Sequence, residues 1–264
     1  GVNQGANSIT SNAGGVTIGG FANYSGANGQ VIFYSAGQII ANAGDINIYG
    51  QGTNTGNAWA TYFAGSTVTA VAGNIKITSS ITSSTGATQA VVIAGGTVIK
   101  ASGDINISAA TQSNGTGSTA NPSAFLTWSG TATSADVMDA GGNINIAAYM
   151  PATSSSAQAT AYMPGYTLLK AGGNIVIGVA GNAGTGGIIA SYLSTNAGGT
   201  FTTEYATTGT VNGIANAAVL ATGATGQSSK TAISITGTAI TYNTVSYNGI
   251  VAASDIVING ATTG

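Results

Sequence analysis

One phrase recurs along this chain and limits its fold more than any other feature: a small residue or Gly, then Asp or Asn, then Ile-x-Ile. It reads Gly44-Asp45-Ile46-Asn47-Ile48, Gly73-Asn74-Ile75-Lys76-Ile77, Gly103-Asp104-Ile105-Asn106-Ile107, Gly142-Asn143-Ile144-Asn145-Ile146, Gly173-Asn174-Ile175-Val176-Ile177 and Ser254-Asp255-Ile256-Val257-Ile258. Looser versions are Gly15-Val16-Thr17-Ile18 and Ala232-Ile233-Ser234-Ile235. From Val16 the first β-branched position falls at 16, 46, 75, 105, 144 and 175, in steps of 30, 29, 30, 39 and 31 residues. A fixed period of this size marks a stack of like units, none of which buries its apolar face alone.

Each period holds two more apolar segments. Just before the Asp/Asn lie Gln38-Ile39-Ile40, Thr67-Val68-Thr69, Thr97-Val98-Ile99, Asp136-Val137-Met138 and Thr167-Leu168-Leu169. Earlier comes an aromatic-bearing segment, as in Val31 to Tyr34, Trp59 to Phe63 and Phe125 to Trp128. All are short, β-branched or aromatic, and punctuated by Gly, Asn and Ser, which reads as strands. The expectation is an all-β chain: a single parallel β-helix (β-solenoid) of about 8–9 coils, each roughly 30 residues with three short strands of four to six residues. Residues 1–13 read as an N-terminal extended segment and 14–264 as the solenoid. A long loop is expected in the fourth coil (110–135), with looser, shortened coils after 178. Pro122, Pro151 and Pro164 fall in stretches read as loops. The short strands argue against a porin-like barrel, whose strands run near ten residues.

The inward residues of the phrase define a core stack: Ile46, Ile48, Ile75, Ile77, Ile105, Ile107, Ile144, Ile146, Ile175, Ile177, Ile256 and Ile258. One difficulty remains. Counting back from the corner, both the fifth and sixth positions are mostly aliphatic, and the aromatic strands are apolar on both faces. Either a bulge turns both residues inward, or an outer face is covered by the chain's own loops or a neighbouring subunit.

Composition removes several chemistries. The 264 residues include 42 Gly but only four Lys and six Asp or Glu, with no Arg, His or Cys. There is thus no thiolate nucleophile, imidazole base or ordinary zinc site. No cofactor is expected. A net charge of -2 without Arg makes nucleic acid a poor partner. No apolar run approaches the ~18 residues of a membrane helix, so no membrane insertion is expected. The chain begins without an export signal, and the reading is of a piece processed after export.

The phrase Ala140-Gly141-Gly142-Asn143-Ile144-Asn145-Ile146 and its relatives resemble repeats of filamentous-haemagglutinin-type exoproteins, the secreted β-helical adhesins of bacteria, over most of residues 14 to 258. The resemblance implies a right-handed parallel β-helix that is extracellular or on the cell surface.

Candidate sites follow from the repeat. Asp45, Asn74, Asp104, Asn143, Asn174 and Asp255 occupy its corner, where Asp exchanges with Asn; a structural ladder accepting backbone N–H groups is expected. Asp45, Asp104 and Asp255 are weak calcium candidates, since the stack never concentrates carboxylates. Lys100, Asp139 and Lys170 share a position and predict an inter-coil charge ladder. Asp136 and Asp139 are the best pair for acid–base chemistry, although the ladder accounts for Asp139 more simply. Thr67, Thr97 and Thr167 share a position and read as ordinary β-branched strand filling, with an outward Thr array of the ice-binding kind as the alternative. Asn47, Asn106 and Asn145, with Lys76 between, suggest an outward amide ladder.

No capping helix is apparent, and the body carries little charge to oppose association. The first expectation is therefore a non-catalytic structural subunit that forms a homo-oligomer or filament through the solenoid ends and an apolar flank. The alternative is an adhesin stalk that binds glycan.

Overall fold

The computed structural model describes residues 2–26, 28–84, 88–113, 123–129, 131–150, 161–180, 188–205, 218–221, 231–237, 250–252 and 255–260. The Ile-x-Ile phrase, or its counterpart Val16-Thr17-Ile18 or Phe201-Thr202-Thr203, lies at the start of nine strands: Val16–Tyr24, Ile46–Asn54, Ile75–Ser83, Ile105–Ser113, Ile144–Tyr149, Ile175–Ala180, Phe201–Tyr205, Thr231–Gly237 and Asp255–Gly260. These stack in that order into one nine-stranded sheet, parallel throughout. Strict period-two alternation drives the Ile pairs inward, so Ile46, Ile75, Ile105, Ile144 and Ile175 are sealed from water in one column. Burying each such side chain stabilises the fold by about 1.5–3 kcal/mol.

The other two segments build the second sheet. Its aromatic strands are Asn28–Ser35, Asn57–Ala64, Thr88–Ala94 and Ser123–Trp128; its short strands are Gln38–Ala41, Thr67–Ala70, Val98–Ala101 and Asp136–Ala140. In the fifth coil one strand, Ala161–Ala171, spans both positions and joins the two halves into a single fourteen-stranded sheet. The chain is thus a parallel β-solenoid.

Several details differ from expectation. The long strands reach nine residues, so strand length does not separate this chain from a barrel; parallel pairing does, because transmembrane barrels are antiparallel. Within the expected N-terminal extended segment, Val2–Gln4 pairs with Asn28–Ser35, and Ser8–Ser11 with Gln38–Ala41, so both are already strands of the solenoid. Of the expected loop at 110–135, residues 110–113 and 123–128 are strand. Pro164 lies in a strand, at the register irregularity between Met163 and Tyr166, where no ladder hydrogen bond is lost. Pro122 and Pro151 lie outside the described residues.

The two-sided apolarity has a separate cause in each segment. In the aromatic strands the pairing skips Val31, Ala60, Ala90 and Ala124 while its neighbours stay in register. At that bend two successive residues face inward, as in Val31-Ile32 and Ala90-Val91. Their outward column, Phe33, Tyr62, Val92, Leu126 and Tyr162, is covered in part by its own rings: Trp59, Tyr62 and Tyr162 pack on Val92, Ala94 and Leu126. In the short strands there is no bulge. Three residues separate Ala41 from Asp45, but two separate Ala101 from Asp104, so counting back from the corner slips by one. The true inward column is Ile39, Val68, Ile99, Met138 and Leu169; Ile40, Thr69, Lys100, Asp139 and Lys170 face out.

Candidate functional site

The corner residues form one continuous column of hydrogen bonds. Oδ1 of Asp45 accepts the backbone N–H of Asn74 (2.7 Å), Oδ1 of Asn74 that of Asp104 (2.8 Å), and Oδ1 of Asp104 that of Asn143 (2.7 Å). Oδ1 of Asn143 accepts from Asn174 (2.8 Å) and Oδ1 of Asn174 from Thr200 (2.8 Å). In the reverse direction each corner carbonyl accepts the N–H of the Ile one coil earlier, as in Ile75 to Asp104 (2.9 Å). The side chains of Asn74 and Asn143 also donate to the carboxylates of Asp45 and Asp104 at 3.1 and 3.2 Å. Asn and Asp exchange freely here because only an Oδ1 acceptor is needed.

The glycine before each corner residue is part of the same device. A Cβ on Gly103, Gly142, Gly173 or Gly199 would overlap Oδ1 of Asn74, Asp104, Asn143 or Asn174 respectively. The Gly-Asp/Asn pair is therefore one unit: the glycine clears the volume that the previous coil's side chain fills. Thr200 takes the corner after Asn174 and closes the column, its hydroxyl donating to Asn174 Oδ1 (3.1 Å). Asp255 is not brought to an Asp or Asn; its backbone pairs with Thr231. Among the described residues no group of three or more Asp or Glu side chains could hold a metal ion.

Lys100, Asp139 and Lys170 lie in one backbone column. Among the described residues the ion pair is Lys170 Nζ to Asp139 Oδ1 at 3.6 Å, on the surface, where such pairs contribute about 0–1 kcal/mol. On the outer face of the long sheet, Asn145 donates its side-chain N–H to Asn106 Oδ1 (2.9 Å), with Lys76 and Asn47 next in the column.

The outward Thr array, the lesser alternative for these positions, does not form. Thr67 faces out beside Val98, whereas Thr97 and Thr167 point into the core, and the residue between them is Asp136. The one-residue slip at the corner hides this column from sequence reasoning. Ser66, Thr97, Asp136 and Thr167 are all fully or nearly fully buried. Thr97 donates its hydroxyl to the carbonyl of Ala94 (2.8 Å) and accepts the N–H of Ser66 (3.2 Å); Thr167 shares a hydrogen bond with Thr127 (2.6 Å). Asp136 Oδ1 accepts the N–H groups of Gly96 and Thr97, both at 3.0 Å, but its Oδ2 has no partner. Burial raises its pKa to about 6, against the lowering effect of the backbone of Thr97, Gly96 and Trp128. Asp136 and Asp139 point to opposite faces of their strand and cannot work as a pair on one substrate.

No family model, curated protein or solved structure matches this chain.

One outer feature remains. Tyr149 stands half-exposed on the long sheet between two open grooves, one of about 280 Å³ floored by Ser108, Ala110 and Ala147, the other of about 140 Å³ floored by Ser80 and Gln112. Phe21 lies in the same column and Tyr49 in the neighbouring one, and both are exposed. Small residues around these rings leave the grooves open. The spacing of these aromatics is visible in the sequence only once the long strands are known to run nine residues.

Proposed function

We propose that this chain is a non-catalytic structural solenoid that self-assembles, through its coil surfaces, into an extracellular filament, sheath or matrix. The observation that supports this reading is the corner column. From Asp45 to Asn174 each coil offers the same Oδ1 acceptor on one side and the same N–H and glycine gap on the other, so coil surfaces of this kind complement one another. Such a heterologous contact does not close on itself and generates filaments. The near absence of charge leaves little repulsion to oppose it. Electron microscopy of the purified protein tests the proposal: filaments with a ~4.8 Å axial repeat in fibre diffraction are expected. Monodisperse particles at every concentration and salt condition would overturn it.

A second reading, a glycan-binding stalk, draws on Tyr149 and its two grooves: an exposed ring flanked by hydroxyl and amide groups suits the face and edge of a neutral sugar. A glycan array probed with the native chain and with Tyr149→Ala separates the two readings, because filament growth through coil surfaces does not need Tyr149.

A further inference from the structure

Asp136 is the one acidic side chain fully buried among the described residues, and nothing about stacking requires its charge. The equivalent places in neighbouring coils are filled by Ser66, Thr97 and Thr167, whose hydroxyls satisfy the backbone without ionising. Of these four residues only Asp136 is titratable, and of the four only Asp136 has a side-chain oxygen, Oδ2, without a hydrogen-bond partner.

The chain around it also departs from the other coils. The bend between aromatic and short strands takes two residues after Ala64 and three after Ala94, but residues 129–135 after Trp128. That excursion holds a single 3-10 turn, Ala132–Ser134, whose N-cap Thr131 makes no side-chain capping bond to it. Most of its bonds are internal, as between the Thr131 and Ser134 hydroxyls (2.7 Å) and from the Ser129 hydroxyl to the Ser134 carbonyl; the following coil holds it through the Tyr166 N–H to the Ser129 carbonyl (3.2 Å), and the preceding coil through Asp136 bound to Gly96 and Thr97. Gly95 and Gly96 beneath it have φ of 68° and 78°, a left-handed pair that presents the Gly96 N–H to the carboxyl.

We propose that Asp136 is a proton-operated latch on the fourth coil: neutral, it holds residues 131–135 against the preceding coil, and ionised, it releases them to water. A buried neutral carboxyl tolerates one unpartnered oxygen, whereas a buried carboxylate does not, and opening the bend is the shortest route to hydration. Of the titratable groups on the strands packed around it, the Tyr62 phenol feels Asp136 directly and is itself raised, first by burial and then by this charge. Lys100, Asp139 and Lys170 stand on the opposite, outward faces of their strands, as do Tyr162 and Tyr166. Thr88–Ala94 and Ser123–Trp128 carry no ionisable side chain. No cation therefore compensates the carboxylate.

Amide hydrogen exchange of the full chain, read by mass spectrometry at about pH 5 and about pH 7.5 and corrected for intrinsic rates, tests the latch. Opening across residues 94–98 and 129–137 is expected to rise about tenfold at the higher pH, the factor that follows when the carboxyl titrates near 6 closed and near 3.8 open. Peptides over the corner column at 73–77 serve as the unchanged reference. Asp136→Asn keeps the Oδ1 acceptor and should be closed at both pH values. Should that variant fail to fold, Asp136→Thr supplies the side chain that the column already carries at Thr97 and Thr167. Equal protection of the native chain at both pH values, or a pH difference that survives either substitution, overturns the proposal.

Discussion

Gly173 lies so close to Oδ1 of Asn143 that a Cβ at residue 173 would overlap that oxygen. The glycine and the Asn one coil below it therefore act as a single packing unit. Gly173→Ala is expected to destabilise the chain by about 2 kcal/mol or more, because the neighbouring oxygen also bonds the N–H of Asn174 and cannot retreat. Gly178→Ala, whose Cβ would meet only the Ile146 carbonyl at 3.9 Å, is expected to stay within about 0.5 kcal/mol. Denaturant titration of both variants measures the contrast.

The order of corner residues avoids placing two carboxylates on adjacent coils: Asp45 is followed by Asn74, and Asp104 by Asn143. Asn143→Asp would stack a second carboxylate on Asp104 and remove the 3.2 Å donor to it. A loss of about 1 kcal/mol is expected, partly recovered in high salt. Asn174→Asp sits between Asn143 and Thr200 and should be close to neutral. Equal losses in the two variants would show that charge stacking is not the cause.

The pH dependence of stability follows from Asp136. Its pKa when folded is about 6, above the ordinary 3.8, so the folded state binds the proton more tightly than the unfolded chain. The stabilisation is complete below pH 3.8 and is lost as pH rises through 6, a contribution on the order of 3 kcal/mol. Asp136→Asn should therefore be more stable than the native chain at pH 7 and gain nothing at pH 4. Thermal unfolding across that range checks both the sign and the window.

Lys170 and Asp139 form a surface pair 3.6 Å apart, with the Lys side chain more than half exposed. Lys170→Met, which keeps most of the apolar stem, should change stability by less than about 0.5 kcal/mol. Ile144→Ala, at the centre of the sealed column, should cost about 2–5 kcal/mol. Side-by-side melting curves would show whether core or surface charge holds the coils.

The period of the phrase and the alternation of Ile46 and Ile48 make the solenoid legible in the sequence, because both follow from how a strand presents its side chains. The corner column was legible for a similar reason: exchange of Asp45, Asn74 and Asp104 at one place points to an acceptor rather than a charge. What was hidden follows from a single residue. Ala43 lengthens the corner before Asp45, as Ala72 does before Asn74, and the later corners lack an equivalent. A register counted from the corner thus exchanges inside for outside in the short strands. That slip grouped Thr67 with Thr97 and concealed the burial of Asp136. The bend at Ala60 and Ala90 was legible only as one of two alternatives, since Ala suits either face and does not decide between them.

In the corner column every side-chain oxygen reaches toward the following coil and every accepted N–H comes from it. The stack therefore has a sense of direction, set by hydrogen bonds rather than by shape. A neighbour approaching upside down would bring oxygen against oxygen and leave the amides unmet. Any structure that grows from this chain by coil contact should be vectorial, with two chemically different tips that lengthen at different rates.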